Sequence, residues 1–353
     1  MKINIAVPGF PVILTGGYKV MFEYANALSE RGHDVMVYFV MALPYSQPHR
    51  PAWYLYLKSL WFKHQRPKWF KLHDGIATRS IYKLKDSALR RADVFFYTQC
   101  LVSLAAKGLT PKHSGVKVNL IQDIEEWILP SSELLKASWH VAATNIVIAD
   151  YMVDILKQAG CTEPHIVHNW IDHAKFRVTN PISNRKRGSV AMLYHPLPKK
   201  GFQYGLNALR RCKALFPALT VELFGIYPNP GFEESWIHYT QNPTDLCSLY
   251  NQASIFLTPS LNEGWGLTAT EAMASGCALV ATNIDGLLVF AHDEETALLA
   301  PPADEEALAL RLSELLRDDE KRKKIAQTGQ QYVQRFSAKA ATDAVEHILC
   351  SAI

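Results

Sequence analysis

The chain has 353 residues, 48% of them hydrophobic and 20% charged, which excludes a disordered or fibrous protein and suggests two globular domains. A net charge of +4 is too small to indicate nucleic acid. The first 180 residues carry 21 Lys/Arg against 14 Asp/Glu and the remainder 16 against 19, so an anionic surface would meet the first half. Six cysteines stand far apart with no Cys-x-x-Cys spacing, which argues against a zinc site or a redox dithiol and for buried thiols in a reducing compartment. The opening residues read at once as a strand, with no signal-peptide core before them, and no apolar run is long enough to span a membrane. A soluble, cytoplasmic protein is expected.

In chain order, Ile3–Val7 predicts a buried strand, a loop with Gly16-Gly17 follows, and Tyr18–Arg31 is an amphipathic helix stopped by Gly32. Asp34–Val40 is apolar at most positions, as a parallel strand covered on both faces should be. Further strands are expected at Val94–Thr98, Val118–Gln122, Ile146–Ala149 and His165–His168, with a helix over Tyr151–Ala159. A polar, basic stretch at Thr179–Gly188 reads as a linker. The alternation then restarts: strands at Val190–Tyr194, Thr220–Phe224, Ile255–Thr258 and Ala278–Ala281, and helices at Phe202–Phe216, Ala269–Ser275 and Glu305–Leu316. Asp318–Phe336 and Ala338–Leu349 close the chain as helices. The pattern predicts two α/β domains, at 1–180 and 181–336, whose strand C-termini border a ligand cleft. Residues 337–353 are expected to form a last helix that crosses back to the first domain.

The chemistry concentrates in Pro259–Gly286, PSLNEGWGLTATEAMASGCALVATNIDG. Gly264 and Gly266 let backbone approach a ligand, and the helix starting near Ala269 aims free N–H groups at it, as a phosphate cradle does. Glu263 and Glu271 flank the cradle and suit hydroxyl groups rather than phosphate, which points to sugars. Two plainer readings share these residues. Thr268-x-x-Glu271 fits a capping box, and Gly264-x-Gly266-x-x-Ala269, with Asp285 beyond it, fits the dinucleotide fingerprint of a nicotinamide-dependent oxidoreductase. The fingerprint normally follows its domain's first strand, which this one does not.

Leu261–Gly286 resembles the donor-site signature of the family 4 retaining glycosyltransferases: a glutamate, a Gly-Trp-Gly-Leu-Thr loop, and a second glutamate eight positions on that heads EAMASG. The resemblance extends to Gly16-Gly17 and the helix running into ERGHDV, to Asn169-Trp170-Ile171-Asp172 with Phe176, and to Lys199-Lys200-Gly201-Phe202. It implies the GT-B fold, two Rossmann-like doubly wound domains facing across a cleft, with the donor bound by the second. It also implies metal-independent, retaining transfer of a sugar from a nucleoside diphosphate to a hydroxyl of a saccharide or lipid-linked glycan, with front-face attack and no cofactor. By position, Lys200 would contact the diphosphate, and Gly266, Leu267 and Thr268 the phosphate and sugar. Glu263 would hold sugar hydroxyls, Glu271 the ribose, and the base would lie near Tyr239–Gln241. Gly16 and Gly17 would approach the phosphates from the other domain. The family's usual arginine is replaced by His195, which leaves phosphate charge to Lys200 or to a protonated His195. A non-catalytic carbohydrate-binding relative would keep the same fold.

Two first-half segments remain. Asp123 in Gln122-Asp123-Ile124-Glu125-Glu126-Trp127 is an acceptor-side candidate, although it also reads as a helix N-cap. Pro51–Lys71 has three tryptophans, five Lys/Arg and no acid, and is expected either to pack as core or to touch anionic lipid at the inner face of a membrane.

Overall fold

The computed structural model describes residues 1–353 as two compact units, Met1–Asn169 with Lys339–Ile353, and Trp170–Ala338. The expected linker at 179–188 therefore lies inside the second unit, and the boundary falls near residue 170. The reason is local: the backbone N–H groups of Thr179 and Asn180 both donate to Asn251 Oδ1, and the buried Arg185 guanidinium donates to the carbonyls of Tyr250, Ala253 and Ser275. A composition that looks like a linker is here tied to the domain by hydrogen bonds between side chains and backbone.

In chain order the first unit contains β1 (Lys2–Pro8), α1 (Gly16–Glu30), β2 (Asp34–Val40), α2 (Ala52–Trp61), β3 (Ala77–Ile81), β4 (Val94–Thr98), α3 (Cys100–Ala106), α4 (Pro111–Ser114), β5 (Val116–Ile121), α5 (Ser132–Trp139), β6 (Thr144–Val147), α6 (Tyr151–Gln158) and β7 (His165–Ile166). Its strands form one parallel sheet, ordered β3-β2-β1-β4-β5-β6-β7. Ile3, Ile5 and Val7 of β1 are fully buried, consistent with a central strand covered on both faces. Gly32 (φ +86°) ends α1: its N–H donates to Ser29 O, and that of His33 to Leu28 O.

The second unit contains β8 (Ser189–Leu193), α7 (Phe202–Leu215), β9 (Thr220–Gly225), β10 (Ile237–Gln241), α8 (Leu246–Gln252), β11 (Ile255–Thr258), α9 (Leu267–Ala274), β12 (Ala278–Thr282), β13 (Ala297–Ala300), α10 (Glu305–Arg317) and α11 (Asp319–Val333). Its sheet is also parallel, ordered β10-β9-β8-β11-β12-β13. In both sheets strand order reverses beside the first strand, between β1 and β4 and between β8 and β11. Ligands of open α/β sheets bind beyond the strand C-termini at that reversal.

The final helix, α12 (Ala338–Ser351), belongs to the first unit from Lys339 onward. It buries Val345 and Leu349 completely, and its rim is clasped by Arg31, which pairs with Asp343 and Glu346, and by His33, which pairs with Glu346.

Candidate active site

The reversal in the second sheet brings together two loops, the one after β8 (Tyr194–Gly201) and the one after β11 (Pro259–Gly266). Lys200 Nζ donates to both carboxylate oxygens of Glu263, at 2.7 and 2.8 Å, and Ser260 Oγ donates to Glu263 Oε1 at 2.8 Å. Both charged side chains are mostly shielded, 22% exposed for Lys200 and 13% for Glu263. Two residues that sequence reasoning placed 63 positions apart in separate roles are thus direct partners.

Backbone holds this geometry. Leu261 N–H donates to Lys199 O at 2.7 Å. Gly201 sits in the left-handed region (φ +62°), and a Cβ on it would lie 1.8 Å from Pro259 O; a Cβ on Gly286 would lie 1.9 Å from Glu263 O. The Glu263 loop is therefore pressed between two glycines that can only be glycines. Trp265, 3% exposed, anchors the loop from below on Phe290 and Phe336, with ring centroids 5.7 and 5.1 Å away.

Gly266 (φ +91°) is the N-cap of α9, so the helix begins at Leu267, two residues earlier than expected. Thr268 is consequently inside the first turn and the capping box does not form. The first-turn N–H groups of Leu267 and Thr268, with no side-chain cap on them, lie at the same loop end as Glu263. Glu271 is nearly buried, at 6% exposure, and its carboxylate lies against the phenol of Tyr250, whose pKa is raised first by burial and then by Glu271. The Gly264–Ala269 fingerprint follows β11, the fourth strand of its sheet, and the loop after the first strand, β8, has no Gly-x-Gly.

His195 follows β8. Its Nδ1 accepts from Leu197 N–H at 3.1 Å, and its ring packs edge-on against Tyr227. Its pKa is lowered, first by burial and then by Lys200, with Glu263 opposing and Lys199 adding to the fall. A protonated His195 is thus disfavoured: Nδ1 is committed as an acceptor, and the neutral ring offers only Nε2–H. Tyr239 lies in β10, half-buried. Its hydroxyl donates to Tyr227 O and its ring packs with Tyr194 and Phe232, at the edge of the sheet. Gln241, at the end of the edge strand β10, is exposed. A polar hollow lined by Lys175, Arg177, Asn180, Asp245 and Asn251 includes none of these residues.

In the first unit, Gly16 and Gly17 are the first two residues of α1. Gln122 Nε2 donates to Gly17 O at 3.1 Å and to Thr98 Oγ1 at 3.0 Å, tying the ends of β4 and β5 to the start of α1. A Cβ on Gly17 would make only ordinary contacts with Gln122, so space does not demand glycine there. Asp123 stands just beyond, half-buried in an irregular stretch. It is no N-cap: α5 starts at Ser132 and Ser131 caps it. Of its neighbours, Glu125 accepts from Cys100 N–H at 2.7 Å at the start of α3, while Trp127 is exposed. Burial and Glu125 push the Cys100 thiol well up, which keeps it inert. The role of Glu125 was missed because nothing in the local sequence links it to a helix 25 residues earlier.

Residues 190–332 match the family model described as glycosyl transferases group 1. D-inositol 3-phosphate glycosyltransferase of Corynebacterium aurimucosum is 36% identical over 111 residues, 31% of this chain and 26% of that protein. Its counterpart in Corynebacterium urealyticum is 39% identical over 95 residues, 27% of this chain and 22% of that protein. The match spans about a quarter of the length of these curated relatives. Among solved structures, sucrose-phosphate synthase from Thermosynechococcus elongatus superposes with a TM-score of 0.77 at 15% identity, covering 99% of this chain and 98% of that one. Anabaena HepE in complex with UDP superposes with a TM-score of 0.76 at 16% identity, covering 99% and 100%. The chain has the GT-B fold seen in these glycosyltransferase structures, and its residues 190–332 are similar to the glycosyl transferases group 1 family.

Proposed function

We propose that the protein is a retaining, metal-independent glycosyltransferase that moves a sugar from a nucleoside diphosphate to a hydroxyl of a saccharide or lipid-linked glycan, in polysaccharide synthesis on the cytoplasmic side. The observation that carries this reading is the Lys200–Glu263 pair beside the uncapped start of α9, at the strand-order reversal of the second sheet. A diphosphate arriving there competes with Glu263 for the Lys200 ammonium and meets the first-turn amides of α9. These are the two charge stabilisers a departing diphosphate needs. The displaced Glu263 carboxylate, still held by Ser260, is then free to accept hydrogen bonds from hydroxyls of the transferring sugar.

In this reading no protein nucleophile forms. The acceptor oxygen bonds to the anomeric carbon on the face from which the diphosphate departs, the carbon–phosphate-oxygen bond breaks, and the acceptor proton passes to a diphosphate oxygen. Neutral His195 contributes one N–H donor in place of a charged fork, so Lys200 carries the local positive charge. Glu271 serves the donor from its buried position on α9, and Gly16, Gly17 and Asp123 form the acceptor-side edge of the first unit. The HepE complexes, which hold UDP or UDP-glucose, support uracil as the first base to try.

The test is thermal denaturation with UDP, GDP, dTDP, ADP and NAD, each with and without magnesium. A ligand at about a hundred times its Kd adds roughly 2.7 kcal/mol. One nucleoside diphosphate should stabilise without magnesium, and Lys200→Ala should erase its effect. Stabilisation by NAD alone would overturn the proposal.

A further inference from the structure

In a water-soluble domain a surface helix turns its apolar stripe inward; α2 does the reverse. Its buried side is Ser59, with Phe62 just past its end, whereas Trp53, Leu57 and Trp61, one helical stripe, face outward. Trp53 is 65% exposed and Trp61 75%. Phe10 stacks on Phe62 with centroids 4.3 Å apart, and Trp69 Nε1 donates to Pro11 O at 3.1 Å. These contacts fasten the loop after β1 beside the end of α2, where it presents three more exposed apolar residues, Val12, Ile13 and Leu14.

The chain segment that carries this surface is basic. No Asp or Glu occurs between Asp34 and Asp74, while Lys63, Lys68 and Lys71 are exposed just beyond α2. A helix of ten residues extends about 15 Å and cannot cross an apolar layer of about 30 Å. It can lie along the interface, where indole rings and lysine stems are favoured. Anionic lipid suits this basic, acid-free segment better than a second copy of the same basic segment would.

We propose that the outward face of α2, with the Val12–Leu14 tip, docks the first unit on a membrane surface bearing anionic lipid. The apolar side chains enter the headgroup region and Lys63, Lys68 and Lys71 face lipid phosphates. The surface is distinct from the Lys200–Glu263 site, and the proposal stands or falls without any glycosyl transfer.

The experiment is co-sedimentation of the full chain with vesicles of phosphatidylcholine alone and of phosphatidylcholine mixed with phosphatidylglycerol, at low and high salt. Binding is expected to the mixed vesicles only and to fall with salt. W53S/W61S, which alters exposed side chains and should melt as the parent does, should weaken it by at least about tenfold. K63E/K68E should weaken it by roughly fivefold per lysine or more. Failure to sediment with the mixed vesicles would overturn the proposal. So would binding unaffected by both variants, or a dimer in solution that W53S/W61S dissociates while vesicle binding is absent.

Discussion

Gly286→Ala adds one carbon where the second unit has no room for it. The new Cβ would sit 1.9 Å from Glu263 O and 2.7 Å from its carbonyl carbon, whereas real Cβ contacts do not fall below 3.0 Å. The atom it strikes is backbone, so no side chain can swing aside, and the loop must retreat by about 1.1 Å. Gly286 is outside the left-handed region, so this collision is the whole effect. A retreat of that size carries the 2.7 Å Lys200–Glu263 contact beyond hydrogen-bond reach. Overpacking of this kind costs about 1–3 kcal/mol, which lowers the melting midpoint by roughly 2–4 °C per kcal/mol in a unit of this size. Turnover should fall on the order of 10²-fold, the usual consequence of moving a site group by about 1 Å. The assay pairs a melting curve with titration of the diphosphate that stabilises the parent. Gly108→Ala is the control, because its Cβ would meet nothing within 4 Å and its backbone is unstrained. If Gly286→Ala melts and binds diphosphate like the control, the Glu263 loop is not clamped by glycine and the geometric argument fails.

The remaining predictions concern separate parts of the molecule. Lys200→Ala and Glu263→Gln should part company: the first loses diphosphate binding, while the second retains or strengthens it and loses transfer, because it releases the ammonium without removing it. Calorimetric titration of both variants decides this, and equal losses of affinity would refute the exchange of partners. His195 has a lowered folded pKa, so the unfolded chain takes up its proton first as pH falls. Its contribution to stability is therefore complete above about pH 6.5 and declines below it, and His195→Gln should flatten that part of the stability–pH curve. Leu349→Ala empties a fully buried position on α12 and should cost about 2–5 kcal/mol, read by urea denaturation. A cost near zero would mean that α12 does not hold the first unit together.

Most strands of both sheets were legible because parallel strands buried on two faces read as continuous apolar runs, as Ile3–Val7, Val94–Thr98 and Ile255–Thr258 do, although the equally buried Ala297–Ala300 does not stand out. The edge strand Ala77–Ile81 was not, since its alternation includes Arg79 and Ser80 and its pairing with β2 is a long-range event. Nor could composition show that Thr179–Gly188 is structural, because what makes it so is Asn251 and the carbonyls that receive Arg185.

At the site, residue types and spacing pointed to the Gly264–Thr268 loop with Glu263 and Glu271, because phosphate cradling requires glycines and a helix start in a short local order, whereas Lys200 was singled out only by the family resemblance. The tertiary structure alone decided their relations. It paired Lys200 with Glu263, turned Glu271 toward Tyr250, committed His195 Nδ1 to Leu197 and folded Tyr239 into an aromatic cluster. The physical reason is that local backbone preferences and hydrophobic period act over a few residues and are written in the sequence. Charge pairing, burial and steric fit depend on which loops the sheet order brings to the same edge.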